Sequence, residues 1–140
     1  MKKNIAVIFF MILLMACETA PIKKVVKESY PNGKPKSVEF LQNINNKEEL
    51  VEQKHYFENG QLKIGGKFEN GKRTGKWVAY FENGNLQSEG VFENGVRSGY
   101  AKVYYPNGKL MYEGSYKNNL ETGTWKFYNK AGEFVKEKTF

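Results

Sequence analysis

The chain contains no aspartate: all 15 acidic residues in its 140 are glutamate, and there is one histidine, His55, and one cysteine, Cys17. A Cys/His zinc site and a disulfide framework are excluded by that count. The same inventory leaves almost nothing from which to build a hydrolytic triad or a metal cage, and it calls for no cofactor. Apolar runs are short. The run Ile5 to Ala16 spans 12 residues, whereas a membrane-spanning helix needs about 20. What is abundant is glycine (14) and aromatic residues (nine Tyr, ten Phe, two Trp), with only four Pro. That is too aromatic, and too regular in its glycine, for a disordered chain. The length holds one small domain and nearly excludes a two-domain enzyme.

Lys2 and Lys3 precede the Ile5 to Ala16 run, a pattern that fits the signal of an exported protein. Leu14-Met15-Ala16-Cys17 resembles the bacterial lipobox, which implies cleavage after Ala16 and acylation of Cys17. The reading is a signal peptide over 1–16, a lipidated Cys17 with a flexible tether over 17–28, and a repeat domain over 29–140. The mature chain would keep 20 basic residues against 15 acidic ones, because only Lys2 and Lys3 are removed. Lys23, Lys24 and Lys27 in the tether suit attraction to an anionic bilayer, or equally a spacer kept soluble by its charges. Nucleic acid is a poor partner for an exported protein without larger Lys/Arg clusters.

Self-similarity is the dominant signal. Tyr56, Tyr80, Tyr104 and Tyr128 lie 24 residues apart, and the glycines keep the same step: Gly60, Gly84 and Gly108; Gly66, Gly90 and Gly114; Gly75, Gly99 and Gly123. So do Phe68, Phe92, Tyr116 and Phe140. Asn-Gly pairs alternate at spacings of 11 and 13, which leaves room for one strand between turns. Asn-Gly suits a two-residue type I′ turn. The expected fold is all-β, an antiparallel hairpin meander with a period of about 24 residues, forming an elongated or rolled sheet.

Alternation places Leu62, Ile64, Gly66 and Phe68 on one apolar face, with the return-strand Trp77, Ala79 and Trp125. Glycine weakens a strand unless something approaches closely, so Gly66, Gly90 and Gly114 are expected to open slots for rings such as Trp77 and Trp125. Terminal units should be atypical. Pro35 stands in the column of Leu62, Leu86 and Leu110, and 27 residues separate Gly33 from Gly60, which predicts a loop over Asn43 to Glu49.

YFENGQLKIGGKFENGKRTGKW and YYPNGKLMYEGSYKNNLETGTW resemble MORN repeats, specifically the bacterial variant with Tyr-x-x-Asn-Gly and Gly-x-[Phe/Tyr]-x-Asn-Gly-x-x-x-Gly-x-Trp blocks. The resemblance covers residues 56 to 128 well and 29 to 140 loosely. It implies a binding role, toward proteins, further copies of itself or membrane lipid, and chains of this kind resemble antitoxins of the YwqK type. Three positions depart from the pattern: Asn119 where Gly71 and Gly95 sit, Ala101 in place of Trp, and Asn129 in the column of Phe57, Phe81 and Tyr105.

Gly66 to Lys72 has P-loop spacing, but Arg73 replaces the required Ser/Thr and a hairpin turn lies within the segment. Glu58, Glu69, Glu82 and Glu93 recur before Asn-Gly turns, as turn chemistry would require. Tyr80, Tyr104 and Tyr128, interleaved with Lys102 and Lys126, form a ladder opposite the Trp face. The ladder is a candidate surface for an acidic partner, a glycan or lipid headgroups, or else cross-strand packing. The overall expectation is a non-enzymatic, envelope-anchored binding or scaffold module. The alternatives are an immunity or antitoxin protein and a module for anionic lipid or cell-wall glycan.

Overall fold

The computed structural model describes residues 20–140. Cys17 and the 1–16 segment lie outside them. Ten strands follow one another: β1 (Ile22–Ser29), β2 (Pro35–Ile44), β3 (Lys47–Tyr56), β4 (Leu62–Glu69), β5 (Lys72–Tyr80), β6 (Leu86–Glu93), β7 (Val96–Tyr104), β8 (Leu110–Lys117), β9 (Leu120–Tyr128) and β10 (Phe134–Thr139). Each pairs antiparallel with its sequence neighbour, in the order β1 to β10, and the sheet is not closed. The molecule is therefore an all-β meander, with β1 and β10 as the edge strands of the described sheet. It is also a single layer: among the described residues only Ser37, Val38, Gly65, Gly66, Trp77 and Trp125 are buried.

The turns differ at the two ends of the strands. At one end, Asn70-Gly71, Asn94-Gly95 and Asn118-Asn119 have positive φ at both central residues, as the type I′ hairpin requires. Asn119 serves where its predecessors have glycine because asparagine tolerates this region. Its side chain adds a bond, accepting from the Arg97 amide at 2.8 Å. At the other end the turns are one residue longer. The Phe57 carbonyl accepts from Gly60 N at 2.9 Å and the Phe57 amide donates to Gln61 O at 2.8 Å. Here Gly60 has φ 92°, while Asn59 is not in the left-handed region. Four of the six Asn-Gly pairs thus form three-residue turns rather than the expected type I′ turn.

Asn59 does different work. Its Oδ1 accepts from Gln61 N, and its Nδ2 donates to Glu82 O of the next turn at 3.1 Å. Asn32, Asn83 and Asn107 repeat the inter-turn bond to Glu58, Pro106 and Lys130. The column ends at Ala131, in the last turn among the described residues.

Bulges reset the pleat in every unit. Ile64 pairs with His55 but Leu62 with Tyr56, so Lys63 is the extra residue; the equivalent shifts fall beside Tyr80 and Tyr104. Leu62, Leu86 and Leu110 consequently stand opposite Tyr56, Tyr80 and Tyr104, on the face away from Trp77, and not with Ile64 and Gly66 as simple alternation predicts. A second shift lies next to Gly75, whose φ of 62° only glycine adopts freely.

Two further expectations are corrected. Asn43 to Glu49 is no loop, because β2 runs to Ile44 and β3 begins at Lys47 across a tight Asn45-Asn46 turn with φ of 52° and 64°. Nor is 17–28 all tether. From Ile22 the chain is strand β1, with Lys24 opposite Phe40 and Val26 opposite Val38. Lys23 and Lys27 there form surface ion pairs with Glu48 and Glu39.

Candidate functional site

The ladder face carries the lysines and tyrosines singled out from the sequence. In register across β6 to β10 run Glu89, Lys102, Glu113, Lys126 and Glu137, alternating in sign along one row. Directly opposed unlike charges stabilise a sheet. Glu89 holds the Lys76 ammonium and accepts from Tyr104 Oη at 3.3 Å; Glu113 holds Lys102 at 3.4 Å and accepts from Tyr128 Oη at 3.2 Å. The Glu113 carboxylate holds the Lys102 ammonium above its ordinary pKa. Burial, with Glu89 next in weight, raises the Tyr104 phenol. Lys102 and Tyr128 thus meet on Glu113, and Tyr104 and Lys76 on Glu89. Lys126 is exposed within the same row, and Tyr80 stands opposite Leu86.

The other face is aromatic. Trp77 and Trp125 lie over Gly66 and Gly114, and a Cβ on either glycine would overlap the indole, as expected from the mid-strand glycines. Each indole sits between two rings at steep angles. Phe68 and Phe92 flank Trp77, with centroids 5.4 and 6.0 Å away. Tyr116 and Phe140 flank Trp125 at 5.0 and 6.4 Å. Edge-to-face rings at these distances are favourable beyond the area they bury. Trp77 Nε1 donates to Lys67 O at 3.2 Å; Trp125 Nε1 is buried without a partner.

Between these two indoles the pattern is interrupted. Gly90 faces Ala101 in the register where Gly66 faces Trp77. A Cβ at Gly90 would meet nothing closer than Tyr100 O at 3.5 Å and the Ala101 methyl at 3.8 Å. The slot for a ring therefore exists here without its ring. A groove of about 360 Å³ opens at this place, lined by Trp77, Gly90, Phe92, Ala101, Tyr112 and Tyr116, among others. Two cations stand at its rim. The Arg73 guanidinium lies 4.2 Å from the Trp77 ring and 5.5 Å from Phe92, and that of Arg97 lies 5.2 Å from Tyr116. Among the described residues, no carboxylate forms an ion pair with either arginine. Burial pushes the Tyr112 phenol up.

Neither arginine, nor Phe92, Tyr112 or Tyr116, was a candidate on sequence grounds. The available signal was Ala101 in a tryptophan column. Gly66 to Lys72 runs along β4 and around the Asn70-Gly71 turn into β5, with no helix to receive a phosphate. His55 stands in the aromatic face between Ser37 and Ile64, and no group of three metal-ligating side chains occurs among the described residues.

A family model described as MORN repeat variant matches residues 50–70, 73–94 and 97–118. Residues 50–118 carry MORN repeats of this variant type. Each matched MORN segment is one hairpin closed by a three-residue turn, the β3–β4, β5–β6 and β7–β8 pairs. The tight type I′ turns mark the joints between repeats. Repeats of this family are generally non-catalytic, and no enzyme family matches. No curated protein matches the sequence significantly.

Proposed function

We propose that the chain is a non-catalytic docking module, held at a bacterial membrane by a lipid on Cys17, and that its aromatic face receives another macromolecule. Repeat modules of the MORN type commonly bind partners. The observation that supports this reading is the single layer itself. Domains ordinarily bury the apolar side of a sheet against a second layer, yet here a face bearing Ile64, Trp77, Phe92, Val103 and Tyr112 has none among the described residues. On the reverse face Lys102 is already paired with Glu113 and so has less to offer an acidic partner or an anionic lipid than it suggests in isolation.

A lipid on Cys17 would hold this sheet close to the bilayer. Four residues separate Cys17 from β1, and a fully extended chain spans at most about 3.6 Å per residue. The β1 edge would then stay within roughly 18 Å of the acylated residue.

The test is in-cell crosslinking of the full-length protein followed by identification of what is joined to it. An Arg73→Gln/Arg97→Gln variant is expected to lose the crosslinked partner, and Lys102→Gln/Lys126→Gln to keep it. Cys17→Ser is expected to leave the membrane fraction. Retention of the partner by the arginine variant, with loss by the lysine variant, would transfer the docking role to the ladder face. If the wild type yields no crosslinked macromolecule, the docking reading fails. The identity of a captured partner separates a scaffold from an immunity role.

A further inference from the structure

The empty ring slot between Trp77 and Trp125 has a floor, two walls and a rim, and each constrains what can enter. Gly90 supplies the floor: in the equivalent places a side chain on glycine would strike an indole, and here the glycine is present without one. Phe92 and Tyr116 supply the walls, being the members of the aromatic column that would flank a residue-101 ring as Phe68 and Phe92 flank Trp77. The rim is cationic, with Arg73 and Arg97 held over ring faces and lacking a carboxylate. Arg97 is fixed further by the hydrogen bond that its backbone N–H donates to Asn119 Oδ1 and by a long contact of 3.4 Å from its guanidinium to Tyr116 Oη.

Resting on the docking reading, we propose that this slot takes an aromatic side chain, best an indole, from a protein partner whose adjacent residues are acidic. The partner's ring would complete the edge-to-face stack that the chain makes for itself in the neighbouring repeats. Its carboxylates would meet the arginines, whose planar forks suit bidentate pairing. An aromatic anchor in a pocket with charged residues at the rim is the usual anatomy of an interface hot spot.

The probe is the capped tripeptide acetyl-Glu-Trp-Glu-amide, titrated into the protein while amide and methyl resonances are followed by NMR. Shifts centred on Gly90, Ala101, Phe92 and Tyr116 are expected. Binding should weaken roughly tenfold or more when the peptide's tryptophan is alanine, and clearly when its glutamates are glutamine. Two variants close the slot from opposite sides. Ala101→Trp supplies the missing ring from within, and Gly90→Ala raises the floor where a Cβ meets only ordinary contacts, so this variant should fold as the wild type does. Both should abolish the shifts.

Shifts that survive Ala101→Trp and Gly90→Ala, or that appear with diacetylchitobiose and not with the peptide, would overturn the proposal. Absence of any shift at the slot would do the same. A crosslinked partner retained by Ala101→Trp would leave the docking module standing and remove only the slot. Peptide binding at the slot without any crosslinked macromolecule would remove the docking module instead.

Discussion

Trp77 and Trp125 occupy two equivalent places in the sheet, and Ala101 occupies the place between them. The two indoles are 5 % and 2 % exposed, in a molecule one layer thick where almost nothing else is buried. They reach that burial by lying flat over glycine and being walled by rings from the strands beside them. At Ala101 the glycine and walls persist without the indole. The slot is therefore a property of the repeat backbone, not of the ring that fills it. Stability in this sheet is local to each repeat, as expected when units contact only their neighbours.

The comparison is broken most severely by emptying a filled slot. Trp125→Ala should cost about 3–5 kcal/mol, the usual loss for a large buried aromatic, and Trp77→Ala a similar amount, both read from denaturant unfolding. Phe in place of either separates them. Trp77→Phe should cost about 1 kcal/mol more than Trp125→Phe, because only the Trp77 N–H has an acceptor to lose. Next in size is the floor. Gly66→Ala and Gly114→Ala force the indole out of its slot and should cost about 1–3 kcal/mol as overpacking does, whereas Gly90→Ala should change the unfolding midpoint little.

Smaller effects come from the turns. Asn83→Ala removes both the bond to Asn85 N and the bond to Pro106 O. It should cost about 1 kcal/mol, and Ala131→Asn, with no following turn among the described residues to reach, should recover nothing comparable. The smallest effect is on pH dependence. Lys76 and Lys102 are raised by hydrogen bonds to Glu89 and Glu113, and Tyr104 and Tyr112 chiefly by burial. Raised groups contribute stability that is present below their ordinary values near 10 and lost as pH rises through their folded values. Amide exchange should therefore show β7–β9 loosening in alkali before β3–β4. The exposure of the lysines keeps the effect modest.

Much of the fold was legible because a repeat states its rules several times over. Tyr, Gly and Asn-Gly columns at a step of 24 fixed the strand number and order over the central repeats, and the glycine slots under Trp77 and Trp125 followed from period-two reasoning. What failed was legible once or not at all. Lys63 looks like any alternating residue, and only pairing reveals it as the extra one that sends Leu62 to the tyrosine face. Asn45-Asn46 turns as tightly as Asn-Gly but lacks the glycine that signals it. β1 reads as a tether because its hydrophobic content is slight, and its order comes from backbone bonds and ion pairs to β2 and β3.

The candidate site divides in the same way. Lys102, Tyr104 and Tyr128 were correctly placed on one face, but a list of residue types does not show that Glu89 and Glu113 lie between them in register. Ala101 was visible as a departure from the tryptophan column, yet its consequence depends on rings and guanidiniums contributed by β5, β6, β7 and β8.

The sequence by itself determined that this is a glycine-punctuated β repeat with little material for catalysis, because turn chemistry and strand periodicity act over a few residues and were repeated in register. Only the tertiary structure decided which charges neutralise one another and where a ring is missing. Both depend on cross-strand register, and a one-residue bulge, which adjacent letters do not reveal, moves every side chain beyond it to the other face.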